Sequence, residues 1–117
     1  MTKEELKRRT REFAIDCWNL TEKLPVNRGF DAYCRQLIRC SSPVGANYRA
    51  ACRAKSDKYF INKLEIVEEA DESRYFLETF EIISQKENNE IKRLQAEANE
   101  LVAITIASIK TMRNRRS

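Results

Sequence analysis

With 117 residues, the chain has room for one hydrophobic core and not for two. Two glycines and two prolines among abundant Glu, Lys, Arg, Ala, Leu and Ile exclude a sheet-rich protein and require long helices. The absence of histidine removes the commonest general base, proton shuttle and metal ligand, and the net charge of +4 says less than how the charges are distributed.

The first helix is predicted over 3–24, where Leu6, Thr10, Phe13, Cys17, Leu20 and Leu24 alternate at intervals of four and three. That is the seam spacing of a helix laid lengthwise on others. Trp18 and Ala14 widen the stripe, and Pro25 ends it by biasing Leu24 away from helical dihedrals. The short link from Pro25 to Phe30, with Gly29 as a flexible turn, returns the chain antiparallel. The second helix is predicted over 31–53, with Asp31 as N-cap and Tyr33, Leu37, Cys40, Val44, Asn47 and Ala51 facing inward. Pro43 either bends this helix or breaks it, with Ser42 as a new N-cap; the uninterrupted phase of the stripe favours one bent helix.

Lys55 and Ser56 mark the next turn, with Ser56 suited to cap a third helix over 56–84. Its predicted inward residues are Phe60, Leu64, Val67, Ala70, Leu77, Phe80 and Ile83. The polar stretch from Gln85 to Asn89 is the last connection, with Asn88 or Asn89 capping a fourth helix over 89–113. There Ile91, Leu94, Ala98, Leu101, Thr105, Ser108 and Met112 repeat the alternation, and the polar tail from Arg113 to Ser117 is expected to fray. The fold class is all-α: a single domain over 1–117, an antiparallel up-down-up-down four-helix bundle.

Cys17, Cys34, Cys40 and Cys52 show no CxxC spacing and read as reduced, buried thiols. The charged N-terminus has no apolar region of the kind a secretion signal needs, and the run Leu101–Ile109 is far short of the roughly 20 residues that span a bilayer. A cytoplasmic protein with no membrane partner is expected. The carboxylates Glu65, Glu68, Glu69, Asp71 and Glu72 lack the histidines of a di-metal bundle, and no cysteine has a partner base. No metal, cofactor or catalytic residue is assigned, and the protein is expected not to be an enzyme.

Residues 29–55 carry a net charge of +4 and residues 56–88 a net charge of −5. In the second helix Arg35, Arg39, Ser42, Ala46, Arg49 and Arg53 fall at intervals of four and three, so four arginines share a stripe. Those arginines either pair with acidic residues of the third helix, in the same chain or a neighbouring copy, or form a phosphate-binding track for RNA or DNA. Arg35, Arg39, Arg49 and Arg53 are the candidate nucleic-acid contacts. With the predicted helix directions, Lys7, Arg8, Arg9, Arg11, Lys110, Arg113, Arg115 and Arg116 gather near one end. Gln36, Asn47 and Tyr48, beside the inward stripe, read as a satisfied structural network.

The central stretch also carries a resemblance. Gln36-Leu37-x-Arg39, the run Ser42-Pro43-Val44-Gly45-Ala46-Asn47-Tyr48-Arg49, Ala51-Cys52-Arg53, Lys55-Ser56, Phe60-x-x-Lys63-Leu64 and Glu69-Ala70-Asp71-Glu72-Ser73 resemble small bacterial four-helix-bundle proteins related to the 23S rRNA-intervening-sequence proteins. The resemblance implies an antiparallel bundle assembling as a homopentameric ring, with no enzymatic activity attached. More distantly it implies kinship with the accessory variability determinant of diversity-generating retroelements, a basic pentamer that contacts nucleic acid and a reverse transcriptase. The chain departs from the commonest family pattern after Asn47, where Tyr48-Arg49-Ala50-Ala51 replaces a small-apolar-acidic-glycine run.

Overall fold

A reciprocal cap opens the bundle. Thr2 Oγ1 accepts from the Glu5 amide at 3.1 Å while the Glu5 carboxylate accepts from the Thr2 amide at 3.4 Å, and α1 (Lys3–Lys23) begins there. The structure, a computed structural model, describes residues 1–116, excepting the side chains of Ser56 and Arg116. Leu24 takes extended dihedrals before Pro25 and ends α1, whose six seam residues are all buried. Trp18, expected in the stripe, is 51% exposed: one residue beyond Cys17 means about 100° around the helix, onto the outer surface.

Asn27 rather than Asp31 caps α2 (Arg28–Arg53), its side-chain oxygen accepting from the Phe30 amide at 3.0 Å. Asp31 falls in the first turn, where its charge suits the helix N-terminus, and Gly29 is helical rather than a turn residue. Pro43 lies inside the unbroken helix. Leu37, Cys40, Val44 and Ala51 are buried as expected, joined by Tyr48. Asn47 is half-buried, and Tyr33 is an exposed ring that meets Phe76 and Phe80 at centroid distances of 6.0 and 6.4 Å.

Only Ala54 and Lys55 separate α2 from α3 (Ser56–Ile83). Lys55 holds the N-cap position without a capping bond; the cap expected from the Ser56 side chain lies outside the described residues. Ala70, Leu77 and Phe80 are buried as expected. Leu64 and Ile83 are instead 45% and 42% exposed, Phe60 and Val67 are half-buried, and the core takes Asn62, Ile66 and Ser73. Apolar residues run along both sides of α3, so periodicity alone admits two phases, and the polar Asn62 and Ser73 disguise the one that faces the core.

The final link folds on Ser84, whose Oγ accepts from the Lys86 amide at 3.1 Å, and on Glu87, whose φ of 63° is left-handed. The Ile91 amide bonds the Glu87 carbonyl at 2.9 Å, so Asn88 and Asn89 lie in the first turn of α4 (Asn88–Arg116) rather than capping it. Ile91, Leu94, Ala98, Leu101 and Thr105 are buried, with Ile109, while Ser108 and Met112 are half-buried. The helix does not fray at Arg113: that guanidinium lies 5.6 Å from the Phe60 ring centroid, a cation–π contact that holds the last turns, and Ser117 lies outside the described residues.

Each helix packs on two neighbours, α1 and α3 both touching α2 and α4, in an antiparallel bundle of 50 × 21 × 19 Å. The described residues form no strand. Each fully buried Leu or Phe of the seam is worth about 1.5–3 kcal/mol. Gly45 marks the tight crossing of α1 and α2, since a Cβ there would come within 3.3 Å of Thr10 Oγ1 and 3.4 Å of the Thr10 carbonyl carbon. Among the described residues no helix is long and apolar enough to cross a membrane.

Candidate nucleic-acid interface

Residues spaced by four and three lie within one stripe yet lean to either side of it, and that lean separates the four arginines of α2. Arg39 turns to α3, where its guanidinium pairs with the Glu72 carboxylate and its Nε donates to Gln36 Oε1 at 2.9 Å. Arg49 turns to α1 and borders a cleft with Lys7 and Arg11. Arg35 lies beside Thr21 and Glu22 further along the same groove. All four side chains are exposed, and among the described residues Arg35, Arg49 and Arg53 make no salt bridge or hydrogen bond. The neighbouring helices contrast with this: Arg8 pairs with Glu12, Arg9 with Glu97 at 2.5 Å, Arg74 with Glu78 and Arg93 with Asp16.

Antiparallel packing gathers further charge at one pole, where α1 and α3 begin and α2 and α4 end. Segments 1–11, 49–63 and 105–116 together hold fourteen Lys and Arg against three carboxylates. Contacts within the pole join the segments: Lys63 Nζ donates to Ser108 Oγ at 3.1 Å, and Lys3 lines a pocket with Tyr48, Cys52 and Lys63. Lys63 is only 6% exposed and makes no salt bridge; its ammonium sits 5.3 Å from the Tyr48 ring centroid and 5.1 Å from that of Tyr59. Aromatic faces substitute in part for lost water around a buried cation. Sequence reasoning placed the chain-end cations together and quoted Lys63 within the family resemblance, but gave it no place in the pole; Tyr59 and Phe60, one helical turn earlier, are the signal of its aromatic setting.

The acidic side of α3 divides in the same way. Asn47 Nδ2 donates to Glu69 Oε1 at 2.6 Å, so Asn47 and Gln36 each hold a charged neighbour, whereas Glu65, Glu68 and Asp71 are exposed and form no salt bridge among the described residues. Burial pushes the Glu69 carboxyl up from its ordinary range; the Asn47 bond opposes this, and the charges of Glu65, Glu72 and Glu68 add to it. Cys17 and Cys40 are buried, while Cys34 and Cys52 are only half-buried because they border the α1–α2 groove and the Lys63 pocket. Desolvation raises the thiols of Cys17, Cys34 and Cys40, which keeps them protonated and poorly nucleophilic. Among the described residues no group of Cys, Asp and Glu is placed to hold a metal ion.

A bundle with a basic pole and a basic groove can hold a polyanion, and the comparisons accord with its architecture. The family described as 23S rRNA-intervening sequence protein matches residues 2–107. No curated protein matches the chain. Among solved structures, a protein of unknown function from the S23 ribosomal protein family of Bacteroides thetaiotaomicron aligns with a TM-score of 0.75 at 24% identity. The alignment covers 89% of this chain and 97% of that one, a likeness of fold.

Proposed function

The chain belongs to the 23S rRNA-intervening sequence protein family, and from that premise we propose that it is a non-enzymatic, self-associating bundle whose basic pole and α1–α2 face bind the phosphate backbone of RNA or DNA. The observation that carries this reading is that Arg11, Arg35, Arg49 and Arg53, exposed on that pole and face, form no salt bridge among the described residues. Guanidinium groups not engaged internally are free to neutralise phosphates and release counterions. Protonated thiols and the absence of histidine support a binding role over a catalytic one. Self-association rests on α3, where Ile61 and Leu64, and further along Tyr75 and Ile82, are exposed on the side away from the core, with Glu68 and Asp71 between the two pairs. Apolar residues exposed away from the core suit a larger assembly, which we take to be a ring of five because the family resemblance implies one.

Affinity for a structured RNA should fall steeply with salt, and the pair Arg49→Glu with Arg53→Glu should weaken binding by about tenfold or more while circular dichroism stays unchanged. Affinity that survives both changes ends the nucleic-acid reading. A second reading is favoured by the exposed, unpaired Glu65, Glu68 and Asp71, which complement the same arginines on another copy. In that case the double substitution lowers the mass seen by light scattering instead.

A further inference from the structure

We propose that the cleft between α1 and α2 beside Gly45 is a nucleotide site for single-stranded nucleic acid, in which Lys7, Arg11 and Arg49 hold a backbone phosphate and Trp18 stacks on an unpaired base. The proposal rests on the nucleic-acid reading of the basic pole and adds where, and in which form, the strand is held.

The cleft has a volume of about 320 Å³. It exists because Gly45 contributes no side chain where the two helices cross, and Ala14, Ile15 and Ala46 complete an apolar floor. Three cations rim that floor. Among the described residues Arg11 and Arg49 have no salt-bridge or hydrogen-bond partner, and Lys7 meets only the exposed Glu4 at 3.4 Å. An apolar floor under a cationic rim suits a nucleotide, whose sugar and base need cover as its phosphate needs charge, better than it suits a bare anion.

Trp18 supplies the second half of the site. Seven residues are close to two full turns, so Trp18 lies on the same side of α1 as Arg11, about 10 Å along the axis. Its indole is 51% exposed and has no aromatic partner among the described residues. An open indole next to a basic groove is a stacking platform, worth about 1–3 kcal/mol per base, or roughly five- to a hundredfold in affinity. A duplex keeps its bases stacked on one another and can offer only phosphates, so the arrangement selects unpaired strands.

Trp18 is the only tryptophan in the chain, so its emission reports on this site directly. The full-length protein is titrated with a short single-stranded RNA and with the matching duplex, following tryptophan fluorescence and the anisotropy of the labelled oligonucleotide. The single strand should quench Trp18 and bind about tenfold more tightly than the duplex. Arg11→Gln should weaken binding by about tenfold, whereas Arg115→Gln, which removes the same charge outside the cleft, should weaken it by less than about threefold. Trp18→Leu should abolish the preference for the single strand while duplex binding persists. Binding without quenching, equal losses in Arg11→Gln and Arg115→Gln, or a fall in assembly mass for Arg11→Gln each overturns the site and leaves the broader reading standing. If neither oligonucleotide binds, both readings fall.

Discussion

Glu69 has one hydrogen-bond donor, Asn47 Nδ2, and lies near three other carboxylates of α3, so its charged form is disfavoured in the folded chain. A carboxyl whose folded pKa is raised adds stability below its unfolded pKa and loses that contribution as pH rises through the folded one. Glu69→Gln keeps the acceptor for Asn47 and removes the charge. It should match the parent in acid and exceed it at neutral pH by up to about 1 kcal/mol, a bound set by solvent screening of a half-exposed group. Urea midpoints at the two pH values test this; equal midpoints at neutral pH would mean that the carboxylate is comfortably solvated. The sequence made Asn47 legible as a satisfied buried amide but not its partner. Glu69, Glu65 and Glu72 are indistinguishable as letters, and only the crossing of α2 and α3 selects among them.

The α1–α2 pair turns on Gly45. Alanine there gains up to about 1 kcal/mol of helix propensity, but its Cβ would meet Thr10 at 3.3–3.4 Å, partly against main chain that cannot move without α1. Gly45→Ala should therefore stay within about 1 kcal/mol of the parent, while Gly45→Leu should cost about 1–3 kcal/mol by overpacking and fill the cleft. Denaturant melts of both variants decide it, and an unperturbed Gly45→Leu would mean that the two helices are loosely apposed. Three helices were readable because each has one apolar stripe: Leu6 to Leu24, Leu37 to Ala51 and Ile91 to Thr105 stand inward, with Asn47 and Tyr33 the departures. In α3 the apolar residues occupy two stripes, and Leu64 belongs to the outer one. Cap positions slipped where a neighbour a few residues ahead, Asn27 or Glu87, took the role.

Over the whole molecule, the exposed apolar residues of α3 begin inside the basic pole at Ile61 and continue beyond it to Ile82. If the chain self-associates through α3 as proposed, Leu64→Glu should lower the mass seen in light scattering with helicity intact, since it places charge in an exposed apolar patch. A mass unaffected by that change would move self-association to another face. The candidate arginines were legible as a stripe, but their division was not, because leaning toward α1 or α3 is a property of the packed pair rather than of spacing. Helix by helix the charge opposes α2 to α3, and the folded chain also sorts it by end. With fourteen cations and three carboxylates in the segments at one pole, the remainder of the chain carries eight cations and fifteen carboxylates. In the field of a nucleic acid such a rod experiences a torque before it experiences a contact: its anionic end is pushed away and its cationic end swings forward. On the proposed nucleic-acid reading, capture would be end-first, and raising the salt concentration should slow the encounter by screening this alignment.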